Sequence, residues 1–500
     1  MGSGTITGNV TNSGTLAPGN SIGILTITGN YTQTAWSVYE VEVNAAGESD
    51  RINVSGAAAL NGGTLTVLTE TGTYSMSNDY TILSAGSVIG SYYNVTSDLA
   101  FLDPSLTYDS TSVYLTLQRN DVAFEDMAET PNQRSVAASL DEIDPNVSGD
   151  MLDVMGSLYS LNAEGARAAY NQMGGLIHTA VTGVSLSGLN NYIGSIADRM
   201  AGLFSDNASN RQMSDFKDNE GHRPRWGLWT KGFRNKGDKK GDDISSKYDY
   251  NGSRLAMGME MDLSDAVLIG LSVGYSETDT DMKELSETAS IAGVQGSFYG
   301  TYKRDACYAD GLFAYVQNRY ETAREISFGD ITRTAKAEYT GDSLTVYAEA
   351  GRIFNAATIN IIPIAALQAT RISREEFKET GAGALDLAGE EQETKAVTGY
   401  IGVRMRKEFS LTAGDITPEF RAVRVHGFSG DDYTLNAAFT GYESSGFDVK
   451  GKGLSSDSLA LGLGLTWEIY EKLNLSLGYD ANISGDHADH GASMELNYRW

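Results

Sequence analysis

The chain of 500 residues has a single cysteine, Cys307. No intramolecular disulfide can form, and the compartment cannot be read from thiols, because many exported bacterial proteins use none. Proline is scarce, 7 residues against 56 glycines, which suits all-β structure with tight turns better than a disordered tail. Basic residues are outnumbered: 37 Lys and Arg face 65 Asp and Glu, for a formal net charge of −28. Neutralising phosphates needs clustered Lys and Arg, so a nucleic-acid partner is disfavoured. The surplus acid keeps an exposed surface soluble by self-repulsion. No run of about 18 apolar residues occurs. That rules out a membrane helix but not membrane strands, whose apolar residues come only every second position. The opening Met1-Gly2-Ser3-Gly4-Thr5 has no charged region followed by an apolar one, so no signal peptide is read there. If exported, the sequence is a fragment with its front removed. No phosphate loop, no dinucleotide fingerprint and no zinc-ligand spacing appears, so no cofactor or metal is expected.

What the chain does have is alternation. In the last nine residues Ala492, Met494, Leu496, Tyr498 and Trp500 share one parity, and Ser493, Glu495, Asn497 and Arg499 the other. A strand sends alternate side chains to opposite faces, so one face is apolar and the other polar or charged. One such strand could be half-buried in a soluble sheet, but the pattern repeats. Leu473, Leu475, Leu477, Tyr479, Ala481 and Ile483 alternate with polar or small residues. So do Leu459 to Ile469, Val397 to Met405 and Val267 to Tyr275. Each run approaches the roughly 9–11 tilted residues that cross a bilayer, with most charges on the opposite parity.

Three segments emerge. Residues 1–120 carry short β runs (Ile24–Ile27, Val38–Val43, Arg51–Val54, Thr64–Val67) between Gly and Asn turns. Their even spacing predicts stacked rungs of a β-solenoid, with an ordinary β-sandwich as the alternative. Residues 121–215 read as a helical linker. Thr130 and Pro131 form an N-cap and first helical residue, Met151–Met155 and Ala163–Met173 continue, and Leu189, Ile193, Ile196, Met200 and Leu203 line one face of a helix over about 188–206. Ser205 to Arg225 reads as a flexible link. Residues 216–500 hold about twelve strands whose short turns largely alternate with long polar loops. Tyr433 to Phe447 has the pattern of another strand pair but is read as surface loop.

These residues resemble the translocator barrel of classical autotransporters (type V secretion). The terminal aromatic strand, with Met494, Leu496, Tyr498 and Trp500, is similar to that family's barrel-assembly signal, although Trp500 stands where phenylalanine is commoner. Pro418-Glu419-Phe420-Arg421-Ala422-Val423-Arg424-Val425-His426-Gly427-Phe428 resembles a family strand that usually has Trp at the place of Arg424, and Trp226-Gly227-Leu228-Trp229 its opening strand. Leu16 to Gly23, Gly29 to Gln33, Tyr39 to Asn44, Tyr80 to Leu83 and Val113 to Leu117 resemble the last rungs of an autotransporter passenger. Thr130 to Ala137 is similar to the junction helix. The resemblance implies a right-handed β-helix end, autochaperone-like, followed by a 12-stranded antiparallel transmembrane β-barrel with the 188–206 helix in its lumen. It implies an outer-membrane location with the passenger at the cell surface, reached through the periplasm and folded outside without ATP. The implied partners are outer-membrane lipid, the barrel assembly machinery, periplasmic chaperones and the chain's own upstream passenger, around a monomeric barrel. Two alternatives stay open: a porin-like channel with a periplasmic β-domain, and a surface adhesin fragment.

Candidate chemistry is sparse, and the chain is read as a non-enzyme. Gly341-Asp342-Ser343-Leu344 spells the motif of one class of lipases and esterases, but inside an expected barrel strand, without His and Asp placed beside it. His487-Ala488-Asp489-His490 reads as a solvated surface loop, not a metal site, since no fourth ligand or outer shell is visible. Cys307 reads as an inert barrel residue. Asn190 and Asn191 match the pair at which some autotransporters cut themselves inside the lumen. The residues after the pair differ from that subgroup, and ordinary helix-start residues are the preferred reading.

Overall fold

A computed structural model describes all residues except 1, 203–224, 413, 430–431, 454–456 and 471. Leu203 of the expected helix face and residues 205–224 of the expected link lie outside the described residues.

The first part is a three-faced solenoid. Parallel ladders join Gly4–Thr7 to Ile24–Thr28 and then to Arg51–Val54 on one face. Val10–Asn12, Tyr31–Gln33, Ala57–Asn61 and Ser87–Ser91 stack on the second, and Val38–Val43 stacks on Thr64–Thr69 on the third. Period-2 apolar residues aim inward: Tyr39, Val41, Val43, Ile52, Leu65 and Val67 are buried. At one corner the backbones approach so closely that only glycine fits. A Cβ on Gly29 would lie 2.4 Å from the Gly8 carbonyl oxygen, and one on Gly56 2.3 Å from Asn30 Oδ1. The amides of Asn30 and Ala57 donate to Asn9 Oδ1 and Asn30 Oδ1, each at 2.9 Å, so side chains satisfy the corner from rung to rung. An antiparallel hairpin, Leu102–Tyr108 with Ser112–Arg119, closes the end next to the helices.

Helices α1 (Pro131–Ile143), α2 (Asp150–Tyr159), α3 (Ala163–Met173) and α4 (Ile177–Gly202) follow. The start of α1 is a reciprocal cap: Gln133 N donates to Thr130 Oγ1 at 3.2 Å and Thr130 N to Gln133 Oε1 at 3.1 Å. The longest helix differs from the expectation of 188–206, since it begins at Ile177 and its described part ends at Gly202. The first eleven positions carry no polar face, because Ile177 to Ser187 are buried all round. An amphipathic period cannot reveal a helix surrounded by protein.

Twelve antiparallel strands close into a barrel. The first, Trp226–Lys239, pairs with the last, His487–Arg499. Trp226 and Trp500 exchange two backbone hydrogen bonds at 3.2 and 3.0 Å, so both barrel ends meet on one side. That side has the short turns, such as Asp265-Ala266 and Asp305-Ala306. The outward parity is an apolar belt: Leu255, Leu271, Val273, Val294, Phe298, Phe313, Leu367, Ile401, Leu463 and Met494 are exposed, Ile401 at 73%. Towards the long-loop end the same parity turns charged, with Glu277, Asp279, Arg319 and Glu321 exposed. The belt therefore covers only part of each wall. Strands Cys307–Phe328 and Ile331–Arg352 are 22 residues long, about twice what crossing a bilayer needs.

Two expectations about loops are corrected. Tyr433 to Phe447 is not plain loop. Asp432–Phe439 pairs with Phe447–Lys452, and with Phe377–Lys378 and Leu387–Gly389 they form a four-stranded sheet outside the barrel. Its alternating Leu435, Ala437, Phe439, Phe447 and Val449 are buried against the helices. His487 to His490 is not loop either. It starts the last strand, opposite Lys236–Lys239, and the turn is Ser484 to Asp486.

The lumen and its helix as candidate functional site

Inward positions along the barrel wall carry the polar parity, and α4 lies among them. At 1.5 Å per residue its 26 residues span about 39 Å, enough to run from the long-loop rim to the short-turn mouth. Its lower apolar residues, Leu189, Ile193, Ile196 and Met200, are buried against the inward Trp229, Leu268, Tyr299 and Leu312. Four of the five residues expected on its lumen face are thus brought together.

Polar contacts set its height. Near the short-turn mouth, adjacent residues of opposite charge reach opposite walls. Arg199 donates to Glu260 at 2.5 and 2.7 Å, to Glu495 and, at 3.2 Å, to Asn497, with its guanidinium 4.9 Å from the Trp229 ring centre. Tyr299 holds Glu260 from behind at 2.9 Å and receives the Trp229 indole N–H at 2.8 Å. On the other side Asp198 accepts from Arg404 at 3.1 Å and from Arg421, and Arg421 also donates to Asp480 at 2.7 Å. Arg406 donates to the Ala201 carbonyl at 2.8 Å and pairs with Glu419 at 2.9 Å. One wall is acidic where the helix is basic, and the facing wall is basic where the helix is acidic. Buried charges need partners of this kind.

Midway, Asn190 Oδ1 accepts from Gln368 at 2.7 Å, and Asn191 donates to Asp489 at 3.3 Å. Asp489 also accepts from Ser187, Tyr250 and Asn235 at 2.9, 2.5 and 3.1 Å. Asn190 and Asn191 are therefore mid-helix residues bonded to the wall, not helix-start residues. At the long-loop rim His178 contacts Glu379 at 2.8 Å and the Tyr339 hydroxyl at 3.1 Å, and Arg324 forks onto Glu379 at 2.8 and 2.6 Å. Glu379 lies in a rim loop. Burial opposes its charge, but the Arg324 guanidinium outweighs that and, with hydrogen bonds from Arg324 and His178, holds the carboxyl at about 2.

The helix is off-centre. It packs on strands Tyr248–Ser264, Val267–Met282, Glu287–Arg304 and Cys307–Phe328. Against the opposite wall a cavity of about 790 Å³ opens at the short-turn end, beside Gly462, Gly464, Gly478, Lys231, Asp480 and Glu495. Between Ser185 of the upper helix and the wall residues Arg254 and Ser343 the space shrinks to about 20 Å³, room for about one water.

The remaining candidates do not assemble. Ser343 faces inward, buried, with Val316 and Ile372 as its register partners. His487 and Asp489 point in while His490 is exposed on the outer face, so the cluster cannot converge. Among the described residues no three His, Cys, Asp or Glu gather as metal ligands. Met494, Leu496, Tyr498 and Trp500 lie exposed on the outer wall, and the last two rings stack 5.8 Å apart. Sequence reasoning placed Glu495 on the polar parity of the last strand but missed its partner. An opposite-charge pair, Asp198-Arg199, in a helix with no other Asp, Glu, Lys or Arg among its described residues was the available sign.

Several known proteins are similar to this chain. The family model described as "Autotransporter beta-domain" matches residues 228–480. An "Extracellular serine protease" of Serratia marcescens is 24% identical over 552 residues, which cover 100% of this chain and 52% of that protein. "Outer membrane protein A" of Rickettsia conorii is 22% identical over 284 residues, 54% of this chain and 14% of that one. The translocator domain of autotransporter NalP from Neisseria meningitidis superposes with a TM-score of 0.48 at 17% identity, covering 64% of this chain and 98% of that one. The chain spans about half the length of the Serratia protein and less of the Rickettsia one.

Proposed function

The chain belongs to the autotransporter family, and on that premise we propose that its barrel secretes and displays the chain's own passenger. The beta-domain is an outer-membrane translocator, and that domain is not catalytic. The observation that carries the proposal is the path of the chain. A folded solenoid stands at the long-loop end, α4 runs down the lumen, and the next described residue, Arg225, enters the first strand at the short-turn end. A chain threaded in this way has its solenoid outside and its tether inside. With the short turns in the periplasm, residues 1–120 serve as the base of the passenger, 121–215 as the linker and 216–500 as the barrel. Solenoid stability grows by nearest-neighbour stacking, so rungs that form outside bias the chain against slipping back without ATP. A filled lumen opposes the porin-like alternative.

Unfolding substitutions among residues 20–120, such as Ile52→Asp, should slow surface exposure of an epitope placed after Gly4, measured by antibody labelling of intact cells. Labelling at the unsubstituted rate would overturn the role of the rungs. Met494, Leu496, Tyr498 and Trp500 are proposed as the strand read by the barrel assembly machinery after escort by periplasmic chaperones. Removing Trp500 should lower the amount of assembled barrel. The chain stays uncut at Asn190–Asn191, and mass spectrometry of the membrane protein should give one intact species. A product starting at Asn191 that disappears in Asn190→Ala would establish cleavage instead.

A further inference from the structure

We propose that the long-loop rim is a clasp for the chain's own linker helices, so that the solenoid base is fixed to the barrel by a built interface and not only by the tether in the lumen. The inference rests on the reading that the solenoid stands outside the membrane.

Three separate contacts converge on α1 and α2. The first is a socket. Asp150, at the start of α2, accepts from Arg333 at 2.6 and 2.7 Å and from the Ala384 amide at 2.7 Å. Gly383 makes room for it: its φ is +65°, and a Cβ there would lie 2.4 Å from Asp150 Oδ2. The second is a backbone zipper. Asn132 of α1 donates to the carbonyls of Ile244 and Lys450 at 2.7 and 2.8 Å and accepts from Lys450 N at 2.8 Å. Nearby, Asp448 N donates to Ser135 Oγ at 2.9 Å and Ser139 Oγ donates to the Ser445 carbonyl at 2.5 Å. The third is a finger. The hairpin of the two 22-residue strands turns at Gly329-Asp330, where Asp330 accepts from Ser157 of α2 and, at 3.3 Å, from Thr73 of the solenoid.

Behind these polar contacts the apolar core is continuous. Val41 and Ile82 of the rungs, Val136 and Leu140 of α1, Ile177 and Val181 of α4, and Leu385, Phe439 and Phe447 of the rim belong to one buried cluster. Crossing the bilayer does not require strands this long, and a tether alone does not require a bidentate socket. The inner face of the rim sheet consists of residues that touch the linker. Clasp and linker therefore complete each other, and the rim closes once α1 to α3 are outside.

The test uses the full chain in lipid nanodiscs. Backbone hydrogen exchange should show α1 and α2 protected to within about tenfold of the belt strands. Gly383→Val, which fills the socket, should raise exchange in α1 and α2 at least tenfold while the belt strands and the Arg199 end of α4 stay unchanged. Linker helices that exchange freely in the unsubstituted chain, or that do not respond to Gly383→Val, overturn the clasp. Because that variant strains the loop, a second one reads the zipper directly. Asn132→Leu, which removes all three Asn132 bonds, should speed exchange of the Lys450 amide at least tenfold while the belt strands stay unchanged, whereas an unchanged Lys450 amide overturns the zipper. If the belt strands themselves exchange freely, the barrel reading fails and the clasp falls with it. Protected belt strands beside an unprotected linker overturn the clasp alone.

Discussion

The solenoid and the barrel use the same two-residue alternation with opposite sense. In Val38–Val43 the apolar members Tyr39, Val41 and Val43 are buried and Glu40 and Glu42 face out. In His487–Arg499 the apolar members Met494, Leu496 and Tyr498 face out, while Glu495 and Asn497 are buried. Backbone pleating dictates the alternation in both. The surroundings dictate the sense: water around the rungs sends apolar residues in, and lipid around the barrel draws them out, leaving a polar interior that must be filled and paired. Where the two regimes meet, α4 changes neighbours: Ile177, Val181 and Val184 belong to the apolar cluster shared with rungs and rim, with the Arg324–Glu379 pair at His178, whereas Asp198-Arg199 meet charged walls.

The largest effect should come from forcing the barrel's sense on the solenoid. Val41→Asp places an unpaired carboxylate in a dry core, a change expected to cost more than about 4 kcal/mol and to unfold the rungs while the barrel stays heat-resistant in detergent. Rungs that keep native proteolytic resistance would contradict the inward sense. Next comes the lumen. Arg199→Ala removes the cation that Glu260 and Glu495 share and leaves them only the longer pairs with Arg499 at 3.5 Å and Lys231 at 3.7 Å, at a cost of up to about 3–5 kcal/mol. The helix end should loosen, and single-channel conductance should rise above that of the unsubstituted barrel. Unchanged conductance would mean that height in the lumen is set elsewhere.

Leu496→Arg tests the outward sense from the lipid side. An arginine facing the bilayer costs about 2–4 kcal/mol near the midplane and less towards the interfaces. The loss should appear in urea unfolding from vesicles, larger for Leu496→Arg than for Tyr498→Arg. Equal, negligible costs at both would remove the bilayer from the account.

How much of this was legible follows from locality. The alternation in Leu473–Ile483 needs only its own residues, and the Asn9 to Asn30 corner only a repeat one rung long. The lumen pairs do not: Arg199 meets Glu260 and Glu495 across 61 and 296 residues of sequence, and no local pattern encodes such a meeting. The rim sheet was legible only in part, because Asp432–Phe439 pairs with the nearby Phe447–Lys452 but also with a distant strand. Tyr433, Leu435, Ala437 and Phe439 do alternate, but their partner Leu387–Gly389 lies far back in the chain. The upper half of α4 escaped because burial on every side erases the period that reveals a helix.

Two carboxylates sharpen the comparison through pH. Asp50, in the solenoid, is pushed up to about 6 by burial, which the Gly23 and Glu42 amides only partly offset. Its folded value lies above the unfolded one of about 3.9, so the folded state binds the extra proton. The solenoid should be most stable below about pH 4 and lose that increment as pH rises to about 6. Glu379 at the rim is held near 2, below the unfolded value of about 4.3. Its contribution is present above about pH 4 and fades as pH falls towards 2. Hydrogen exchange at about pH 2.5 and about pH 7, corrected for the intrinsic amide rates, should therefore shift rungs and rim in opposite directions, and Asp50→Asn should flatten the first trend. Parallel shifts in both regions would refute the assignment.

The smallest expected effect is none. Ser343 has the sequence context of an esterase nucleophile, but its position gives it the environment of a wall residue. A serine attacks only when a base within hydrogen-bond reach can take its proton and a substrate carbonyl can approach. Ser343 is 1% exposed, between Val316 and Ile372 on neighbouring strands, beside a space of about 20 Å³. An ester could not enter. His178, on the same helix-filled side, is already engaged by Glu379 and Tyr339. Ser343→Ala should leave stability within about 1 kcal/mol, as expected for one modest hydrogen-bonding group, and should change no hydrolysis of short-chain esters by the purified protein. An esterase activity that vanishes with this substitution would show that the lumen opens far wider than α4 allows, and that the inward parity of the barrel serves chemistry as well as packing.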